Sequence, residues 1–519
     1  MILLLLATDQ KVFPTPKHYE LLTNIWGASN VSFNCTFQDG SPCHKHFEKN
    51  YIFFQKAFFP RKSPLESYVK YNLPTQWQLQ ITVDSKDENY DILSLNESYS
   101  IVIDYYGVVI NASTGMALSR AFQSLSQMIV PLASFEHDTA AYIISKCNIS
   151  DSPSFKWREI AIDISQNYLN QSTILQIIDG MAITKFNILH IKSSDDISQS
   201  IFFSESPQSN LNKACFSENH ALTIDQLQEI QSYALERGVI VYLEIDMPIN
   251  IKSWQKADRY LLAQCDQSLP QILNPANPNI YKYIKAMLKD LIFNKLENNS
   301  VIRPIIHFGG SGLSMVCWDE DSVISSYKLK HNLTNEQLLV EFNIKVKDIV
   351  NSLYEDKNLV YTVYNEAQAP YVEKDKQTII HFQNSNISEE ILQTGVKVIQ
   401  SFNFEASHTP DHKYFDEGYL SFYQVDLLKD IPEQYHDQII GGGVVAENGA
   451  NEEIVSLIFS KAAAVAEILW ANPSDRNSED FEQLVVNAHC KLQSVGLKVS
   501  PTSIQRPCPG YFWKYGNKE

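Results

Sequence analysis

Short apolar segments alternate with longer amphipathic segments from about residue 155 to the C-terminal part of the chain. Parallel strands joined by helices are buried on both faces, which explains why the short segments are nearly continuous apolar runs. Eight such units in succession predict an α/β fold, a (β/α)8 TIM barrel. The predicted strands are 158–164, 187–192, 239–246, 304–309, 359–364, 378–382, 397–402 and 438–445. The clearest helices are 172–184, 224–237, 280–296, 335–354 and 453–469, and Thr223 and Asn335 are suited to cap two of them.

The chain before the barrel has a different pattern. Residues 77–83 and 97–103 alternate apolar and polar side chains, as half-buried strands do, and 107–112 follows as a hairpin partner. Residues 114–130 carry apolar side chains at helical spacing. The pattern predicts a small α+β domain at 8–150, followed at 151–519 by the barrel with a C-terminal extension. Residues 1–7 resemble a shortened signal peptide, and the alternative is a buried N-terminal strand.

Charge, sequons and cysteines bear on the compartment and the partners. The formal charge of −18 argues against a nucleic-acid partner, which favours a basic surface. No apolar run in the sequence reaches the roughly 18 residues that would span a bilayer. The eight cysteines form no C-x-x-C pair, so the sequence predicts disulfides and neither a metal nor a cofactor. Nine N-x-S/T sequons favour a secreted glycoprotein, at Asn30, Asn34, Asn96, Asn111, Asn148, Asn170, Asn298, Asn332 and Asn386.

The segment 305–318 is an apolar strand that ends in a Gly-Gly turn and continues to a Cys-Trp pair. In a barrel of this kind, such strand ends are where catalytic groups lie. The segment resembles glycoside hydrolase family 20, the β-N-acetylhexosaminidases, whose motif here is H-x-G-G-D-E-V followed by C-W. Further matches run along the barrel, to R-G-…-D-T-S-R-H, to K-x-N-x-x-H-W-H-…-D-D and to E-F-D-x-P-G-H. The residues that match the first motif are His307, Gly309, Gly310, Cys317 and Trp318.

The resemblance also implies which chemistry is missing. In the family, the motif Asp orients the substrate's N-acetyl group, which is the nucleophile, and the Glu is the general acid. Ser311 and Gly312 occupy those two positions, so neither carboxylate is retained. Three further positions where the family has Arg or His hold Gln166, Lys192 and Asn250. We therefore expect a family-20-like protein that has lost hexosaminidase activity.

The resemblance implies the disulfide pairs Cys265–Cys317 and Cys490–Cys508. The pairs Cys35–Cys43 and Cys147–Cys215 then remain by elimination. Sequence alone does not choose among the pairings of eight cysteines.

Candidates for residual sugar binding are Arg158, Asp195, Asp246 and His307. The alternative for Arg158 is an ion pair with an inward carboxylate such as Asp195, and the alternative for His307 is a buried core position. Glu244 and Asp246 share one face of a strand, where they would serve as the carboxylate pair of a new hydrolase.

These observations lead to three hypotheses of function. The first is a secreted glycoprotein that acts as a structural or binding module without hydrolysis. The second is an active β-N-acetylhexosaminidase that uses an unconventional acid, and the third is a non-hydrolytic glycan-binding protein. The resemblance implies a homodimer or a larger extracellular or lumenal assembly. It also implies the secretory pathway, with an extracellular, cell-surface or lysosome-like location.

Overall fold

The structure is a computed structural model. It describes residues 11–28, 33–60, 78–86, 89–104, 106–133, 140–204, 208–291, 301–353, 359–365, 378–383, 385–401, 403–406, 418–446, 449–451, 453–476 and 478–499. The predicted signal segment 1–7 and the sequons at Asn30 and Asn298 lie outside these residues.

An N-terminal sheet precedes the barrel. Its neighbours run in the order β1-β8-β5-β6-β3-β2, with β7 on β8, and β5 and β6 form the predicted antiparallel hairpin. The strands are β1 (His18–Ala28), β2 (Cys35–Phe37), β3 (Gln78–Val83), β4 (Asn89–Tyr90, which pairs outside this sheet), β5 (Tyr99–Ile103), β6 (Gly107–Ala112), β7 (Ile129–Ala133) and β8 (Ala140–Asp151). The helices of this part are α1 (Lys45–Phe58) and α2 (Gly115–Met128). Every residue of α2 from Met116 to Met128 is buried, because this helix packs between the sheet and a barrel helix.

A closed barrel of parallel strands follows, in the order β10-β13-β15-β16-β17-β18-β19-β9. All eight predicted strands are present, with ends displaced by at most two residues. They are β9 (Trp157–Asp163), β10 (Ile188–Lys192), β13 (Ile240–Glu244), β15 (Ile305–His307), β16 (Val360–Tyr364), β17 (Thr378–Phe382), β18 (Lys397–Gln400) and β19 (Ile439–Ala446). Short strands outside the barrel are β11 (Ile201–Phe202), β12 (Leu222–Thr223) and β14 (Val301–Ile302). The (β/α)8 prediction is confirmed.

The barrel helices begin and end close to the predicted bounds. They are α3 (Gln171–Thr184), α4 (Ile224–Leu235), α5 (Pro278–Leu291), α6 (Val316–Glu320), α7 (Ser322–His331), α8 (Asn335–Leu353), α9 (Glu389–Gln393), α10 (Gly418–Tyr423), α11 (Ile454–Ala471) and α12 (Ser478–Ser494). Thr223 caps α4 in a capping box with Gln226, as predicted. The prediction of Asn335 as a cap is wrong, because Thr334 forms a reciprocal box with Gln337 instead, at 2.9 and 3.3 Å.

The N-terminal part covers the amino end of the barrel. Apolar side chains from the barrel strands form a cluster there together with Tyr90 and Ile92. Beside this cluster, Glu97 pairs with Arg120 of α2 at 2.8 Å and with Arg158 of β9 at 2.7 Å. The carboxyl ends of the strands therefore remain as the open end of the barrel.

One predicted disulfide pair is wrong. Disulfides join Cys35 to Cys43 and Cys265 to Cys317, as predicted. Cys147 and Cys215 are instead free and buried. Cys147 lies within β8 of the N-terminal sheet, whereas Cys215 follows a 3₁₀ helix in a loop of the barrel, so the two thiols belong to different parts of the fold. Cys490 is disulfide-bonded, and its predicted partner Cys508 lies outside the described residues.

One described helix, α11, is long and apolar enough to cross a membrane by length and composition. It is 72% buried inside the protein, and it packs on β19 and on α3. These contacts are those of a core helix of the barrel.

Candidate functional site

The loop after β15 brings the backbone very close to Asp246. Gly309 and Gly310 have φ angles of +65° and +91°, a region that L-residues with a side chain rarely adopt. A Cβ atom on Gly309 would lie 2.1 Å from Oδ1 of Asp246. The amide of Gly310 donates a hydrogen bond to the same oxygen at 2.6 Å. The glycine pair is thus required for this close approach.

The two positions where the motif has its acidic pair follow directly. Ser311 is half-buried, and its carbonyl accepts a hydrogen bond from the Asn250 amide at 3.1 Å. Gly312 is exposed, has a φ of +68°, and has open space where a Cβ would lie. The structure therefore places a hydroxyl and a bare backbone at the rim of the barrel, where the motif has two carboxylates.

Lys192 lies among three carboxylates at the barrel mouth. Its ammonium is 3.3 Å from Asp195 and 3.6 Å from both Asp163 and Asp246. Burial disfavours the charged ammonium, but the surrounding carboxylates, Asp246 first, outweigh burial and raise the pKa of Lys192. Burial and the charge of Glu244 raise the pKa of Asp246. The ammonium of Lys192 therefore neutralises part of the negative charge of the carboxylates at the mouth.

Amide side chains complete the mouth. Gln166 donates to Asp195 at 3.2 Å, and Asn250 donates to the Oδ2 atom of Asp246 at 2.9 Å. Asp246 is fully buried, and each of its oxygens accepts a hydrogen bond. Each oxygen of Asp246 therefore already accepts one hydrogen bond from the protein.

Beneath the mouth, a polar network fills the barrel interior. His190 lies between Glu159, 3.1 Å from Nδ1, and Glu244, 2.8 Å from Nε2. Burial opposes a charged imidazole, but the two carboxylates outweigh it and raise the pKa of His190 to about 9. Burial lowers the pKa of His307 well below its ordinary value. The Nδ1 atom of His307 accepts a hydrogen bond from the Gly309 amide at 2.9 Å, as a neutral imidazole does.

The aromatic side chains near the ends of β16 and β17 are buried, either in the barrel interior or between the barrel and its helices. Tyr364 is buried in the interior and donates to Glu244 at 3.0 Å. Phe382 is also buried. Tyr361 faces the opposite way, because its hydroxyl donates to Asn351 of α8 at 2.7 Å.

The structure brings together some of the predicted site residues and separates one. Asp195 and Asp246 lie at the mouth, and His307 is a fully buried residue beneath it. The assignment of Arg158 as a sugar ligand does not fit the structure. Arg158 is at the amino end of β9, fully buried, and binds Glu97 and the carbonyls of Phe155 and Lys185. It does not pair with Asp195, because the two residues lie at opposite ends of the barrel.

Several residues of this network were not among the site residues predicted from the sequence, although Lys192 was identified as the replacement of a motif histidine. They are Glu159, His190, Lys192, Tyr364 and His381. Their signal is strand alternation, since a strand directs every second side chain into the barrel. The register confirms the layers: Lys192 is level with Asp163 and Glu244, and His190 is level with Tyr242.

Two groups of buried residues have ligand atoms within 4.8 Å of one another and could hold a metal ion. One is Glu159, His190 and His381, and the other is His190, Glu244 and His307. They share His190 and occupy the centre of the barrel.

Comparisons with known proteins agree with this geometry. Residues 155–473 match the model of "Glycosyl hydrolase family 20, catalytic domain". The beta-hexosaminidase subunit beta of Mus musculus is 27% identical over 442 residues, which is 82% of this chain and 78% of the relative. The Homo sapiens subunit beta is 27% identical over 445 residues, which is 82% of this chain and 76% of the relative.

Solved structures share the fold. The chitobiase of Flavobacterium johnsoniae superposes with a TM-score of 0.74 at 19% identity, over 93% of this chain and 72% of that one. An exo-β-N-acetylglucosaminidase of Vibrio harveyi has a TM-score of 0.73 at 16% identity, over 95% of this chain and 78% of that one.

Proposed function

The chain belongs to glycosyl hydrolase family 20, and we propose that it is a β-hexosaminidase-like member that has lost hydrolysis. The observation that carries this proposal is Ser311-Gly312, at the positions where the family motif has its Asp-Glu pair. Hydrolysis assisted by the substrate's acetamide needs a group to hold the acetamide and an acid to protonate the leaving oxygen. A hydroxyl and a glycine supply neither.

The surroundings of the mouth support the same proposal. Lys192 occupies a position where the family motif has His, and its ammonium is held by the carboxylates of Asp163, at the end of β9, and of Asp195 and Asp246, in the loops after β10 and β13. The mouth is thus held together by its own ion pairs.

In place of hydrolysis, we propose a secreted glycoprotein that acts as a structural or binding module. Six described sequon asparagines are exposed, namely Asn34, Asn96, Asn111, Asn170, Asn332 and Asn386, and Asn148 is half-buried. Disulfides are typical of proteins folded in an oxidising compartment. This supports the secretory pathway, with an extracellular, cell-surface or lysosome-like location. The relatives are named as subunits, which supports a homodimer or a larger assembly.

Hydrolysis of a chromogenic N-acetyl-β-glucosaminide, from about pH 4 to 7, tests the loss of activity. We expect no turnover above the buffer blank for the unmutated chain. The Ser311→Asp/Gly312→Glu double variant asks whether the mouth still holds the sugar. Gly312 has room for a side chain but a positive φ, so the glutamate adds strain of about 1–2 kcal/mol.

The rival hypothesis is hydrolysis by an unconventional acid. Burial and the charge of Glu244 raise the pKa of Asp246, which is the direction that a carboxyl group acting as a proton donor requires. Turnover by the unmutated chain that disappears in Asp246→Asn and persists in Asp319→Asn would contradict our proposal and identify that acid. Asp319 is the matched control, since its side chain is 61% exposed and follows the same loop.

A glycan-binding role without hydrolysis is the second candidate. The half-buried Ser311 and the partly exposed Lys192 leave polar groups at the rim. Calorimetric titration with N-acetylglucosamine distinguishes it from a purely structural role, because only a glycan-binding protein releases heat that Lys192→Met abolishes.

A further inference from the structure

We propose that Glu159, His190 and His381 bind a divalent transition-metal ion of the zinc type inside the barrel. Their ligand atoms lie within 4.8 Å of one another, and all three side chains are fully buried or nearly so. They come from β9, β10 and β17. Two imidazoles and one carboxylate are a donor set that suits Zn²⁺, Fe²⁺ or Co²⁺ rather than Mg²⁺ or Ca²⁺.

His381 is the residue that most clearly points to an ion. Its Nε2 atom is 2.7 Å from the Ser401 hydroxyl. Its Nδ1 atom is buried and has no hydrogen-bond partner among the residues that the structure describes. A buried, unpaired ring nitrogen is costly. A metal ion at Nδ1 would remove that cost, with Ser401 fixing the tautomer from the other side.

Hydrogen bonds also fix the orientation of the Glu159 carboxylate. Its Oε2 atom accepts hydrogen bonds from Tyr242 at 2.7 Å and from the indole of Trp157 at 2.8 Å. Its Oε1 atom faces Nδ1 of His190 at 3.1 Å. Ligands of a zinc ion with bonds of about 2.0–2.1 Å lie about 3.4 Å apart in a tetrahedron, so this pair is already close to the required spacing.

His190 is held on both faces and at its far nitrogen. Its ring stacks on Tyr242 with a centroid distance of 4.5 Å and on His307 at 4.9 Å. Its Nε2 atom is 2.8 Å from Glu244, an arrangement that metal-bound histidines commonly have with a carboxylate. All three ligands therefore have a second contact that orients them towards one point.

A proton on His190 is the alternative occupant. It would satisfy Glu159 and Glu244, but it would leave Nδ1 of His381 unpaired. The other group of candidate ligands, which includes His307, is a poorer choice. Nδ1 of His307 already accepts the amide of Gly309, while Nε2 of His307 and Oε1 of Glu244 are buried without a hydrogen-bond partner among the described residues. The first group differs in its carboxylate, because two donors already orient Glu159, whereas Tyr364 alone donates to Glu244 in the part of the chain that the structure describes. We therefore assign the ion to Glu159, His190 and His381.

The expectation that the chain binds no metal rests on cysteine spacing. Cysteine spacing does not reveal these ligands, because they are imidazoles and a carboxylate from strands far apart in sequence. In the barrel, β17 lies across from β9 and β10. A metal ion bound here would link opposite walls of the barrel and stabilise them.

The test uses the full chain, expressed without a histidine tag, stripped with a chelator and titrated with Co²⁺ and Zn²⁺. We expect close to one equivalent of tightly bound metal, a visible Co²⁺ absorption typical of four or five ligands, and a higher melting temperature with Zn²⁺. Absence of the Co²⁺ absorption in the unmutated, folded chain would overturn the proposal without any variant.

Variants assign the site. We expect His381→Gln to weaken metal binding at least 100-fold, and Ser401→Ala, which keeps all three ligands, to weaken it about 10–100-fold. His489→Gln is the matched control, because His489 is equally buried but contacts a carbonyl of α11 outside the barrel interior. Equal metal content in His381→Gln and His489→Gln would contradict the assignment. If His381→Gln does not fold, Ser401→Ala together with the control decides.

Discussion

Lys192 determines the charge balance of the barrel mouth. It is the last residue of β10, and three carboxylates, one at the end of β9 and two in the loops after β10 and β13, lie within 3.6 Å of its ammonium. A cation removed from such a site leaves carboxylates close together in a partly buried place. The residue that replaces the motif histidine has thus become part of the structure rather than part of a reaction.

We expect Lys192→Met to lower the free energy of unfolding at pH 7 by about 3 kcal/mol, since it leaves Asp163, Asp195 and Asp246 without their cation. Burial already raises the pKa of Asp163. Asp163 will therefore take up a proton readily when the cation is absent, and the loss should shrink as the pH falls towards about 4. Urea unfolding at both pH values measures it.

Lys345→Met is the control for Lys192→Met. Lys345 pairs with Glu341 at 2.6 Å on one helix, but its side chain is 40% exposed, so the expected loss is below about 0.5 kcal/mol. A loss in Lys192→Met no larger than that of the control would show that the mouth carboxylates do not depend on Lys192.

Arg158 shows where residue-level prediction fails. The motif arginine and the mouth carboxylate Asp163 lie on the same strand, β9. A strand rises about 3.3 Å per residue, so its first and last residues lie at opposite ends of the barrel. Sequence resemblance identifies Arg158 as the motif arginine, but it does not show at which end of the barrel the side chain binds. Its partner Glu97, which lies in the N-terminal part of the chain, places it at the amino end.

At the scale of the element, the loop after β15 is defined by backbone conformation. Gly309 and Gly312 have nearly the same φ, +65° and +68°, but different surroundings. A Cβ on Gly309 would meet Asp246 at 2.1 Å, whereas a Cβ on Gly312 would meet open space. Substitutions at the two glycines therefore distinguish the cost of backbone strain from the cost of a steric clash.

We expect Gly312→Ala to cost about 1 kcal/mol of unfolding free energy, which is the strain of an L-residue at positive φ. Gly309→Ala should cost that strain plus the clash with Asp246, in total roughly 3 kcal/mol or more. Thermal and urea unfolding of the two variants side by side measure the difference. Equal losses would mean that Asp246 moves aside freely and that the loop is not built around it.

The elements themselves are largely predictable. Strands such as β17 (Thr378–Phe382) are found at the predicted bounds, because apolar runs of strand length between amphipathic helices leave few other folds. The inward layers of the barrel are harder, because Glu159 and His381 are separated by more than two hundred residues and meet only after the barrel closes. Local pattern therefore predicts the walls but not which side chains meet inside them.

At the scale of the whole molecule, contacts between the N-terminal part and the barrel are polar as well as apolar. Lys185 of the barrel pairs with Asp151 of β8 at 3.0 Å, and Trp470 of α11 donates to the same carboxylate at 3.0 Å. The amide of Thr15 donates to Glu467 of α11 at 2.9 Å. Long-range contacts of this kind explain why elimination failed for Cys147–Cys215, since the assembled fold, and not the cysteine count, decides which thiols are neighbours.

Glu97 forms two ion pairs at the contact between the N-terminal part and the barrel. It is buried between two buried arginines, Arg120 of the N-terminal part and Arg158 of the barrel. Burial opposes its charge, but the two guanidinium groups outweigh burial and lower the pKa of Glu97.

We expect Glu97→Gln to lower the free energy of unfolding by about 3–5 kcal/mol, because it leaves two buried cations without their carboxylate. Glu236→Gln is the matched control: Glu236 also joins the two parts, through Lys49, whose side chain is 65% exposed, so its loss should stay below about 1 kcal/mol.

The lowered pKa of Glu97 means that its stabilisation is present above the pKa that Glu97 has in the unfolded chain and is lost as the pH falls. The unfolding free energies of the two variants should therefore converge in strongly acidic solution. If urea unfolding at pH 7 gave the same midpoint for both variants, Arg158 would not be held by Glu97, and its role in the fold would have to be reconsidered.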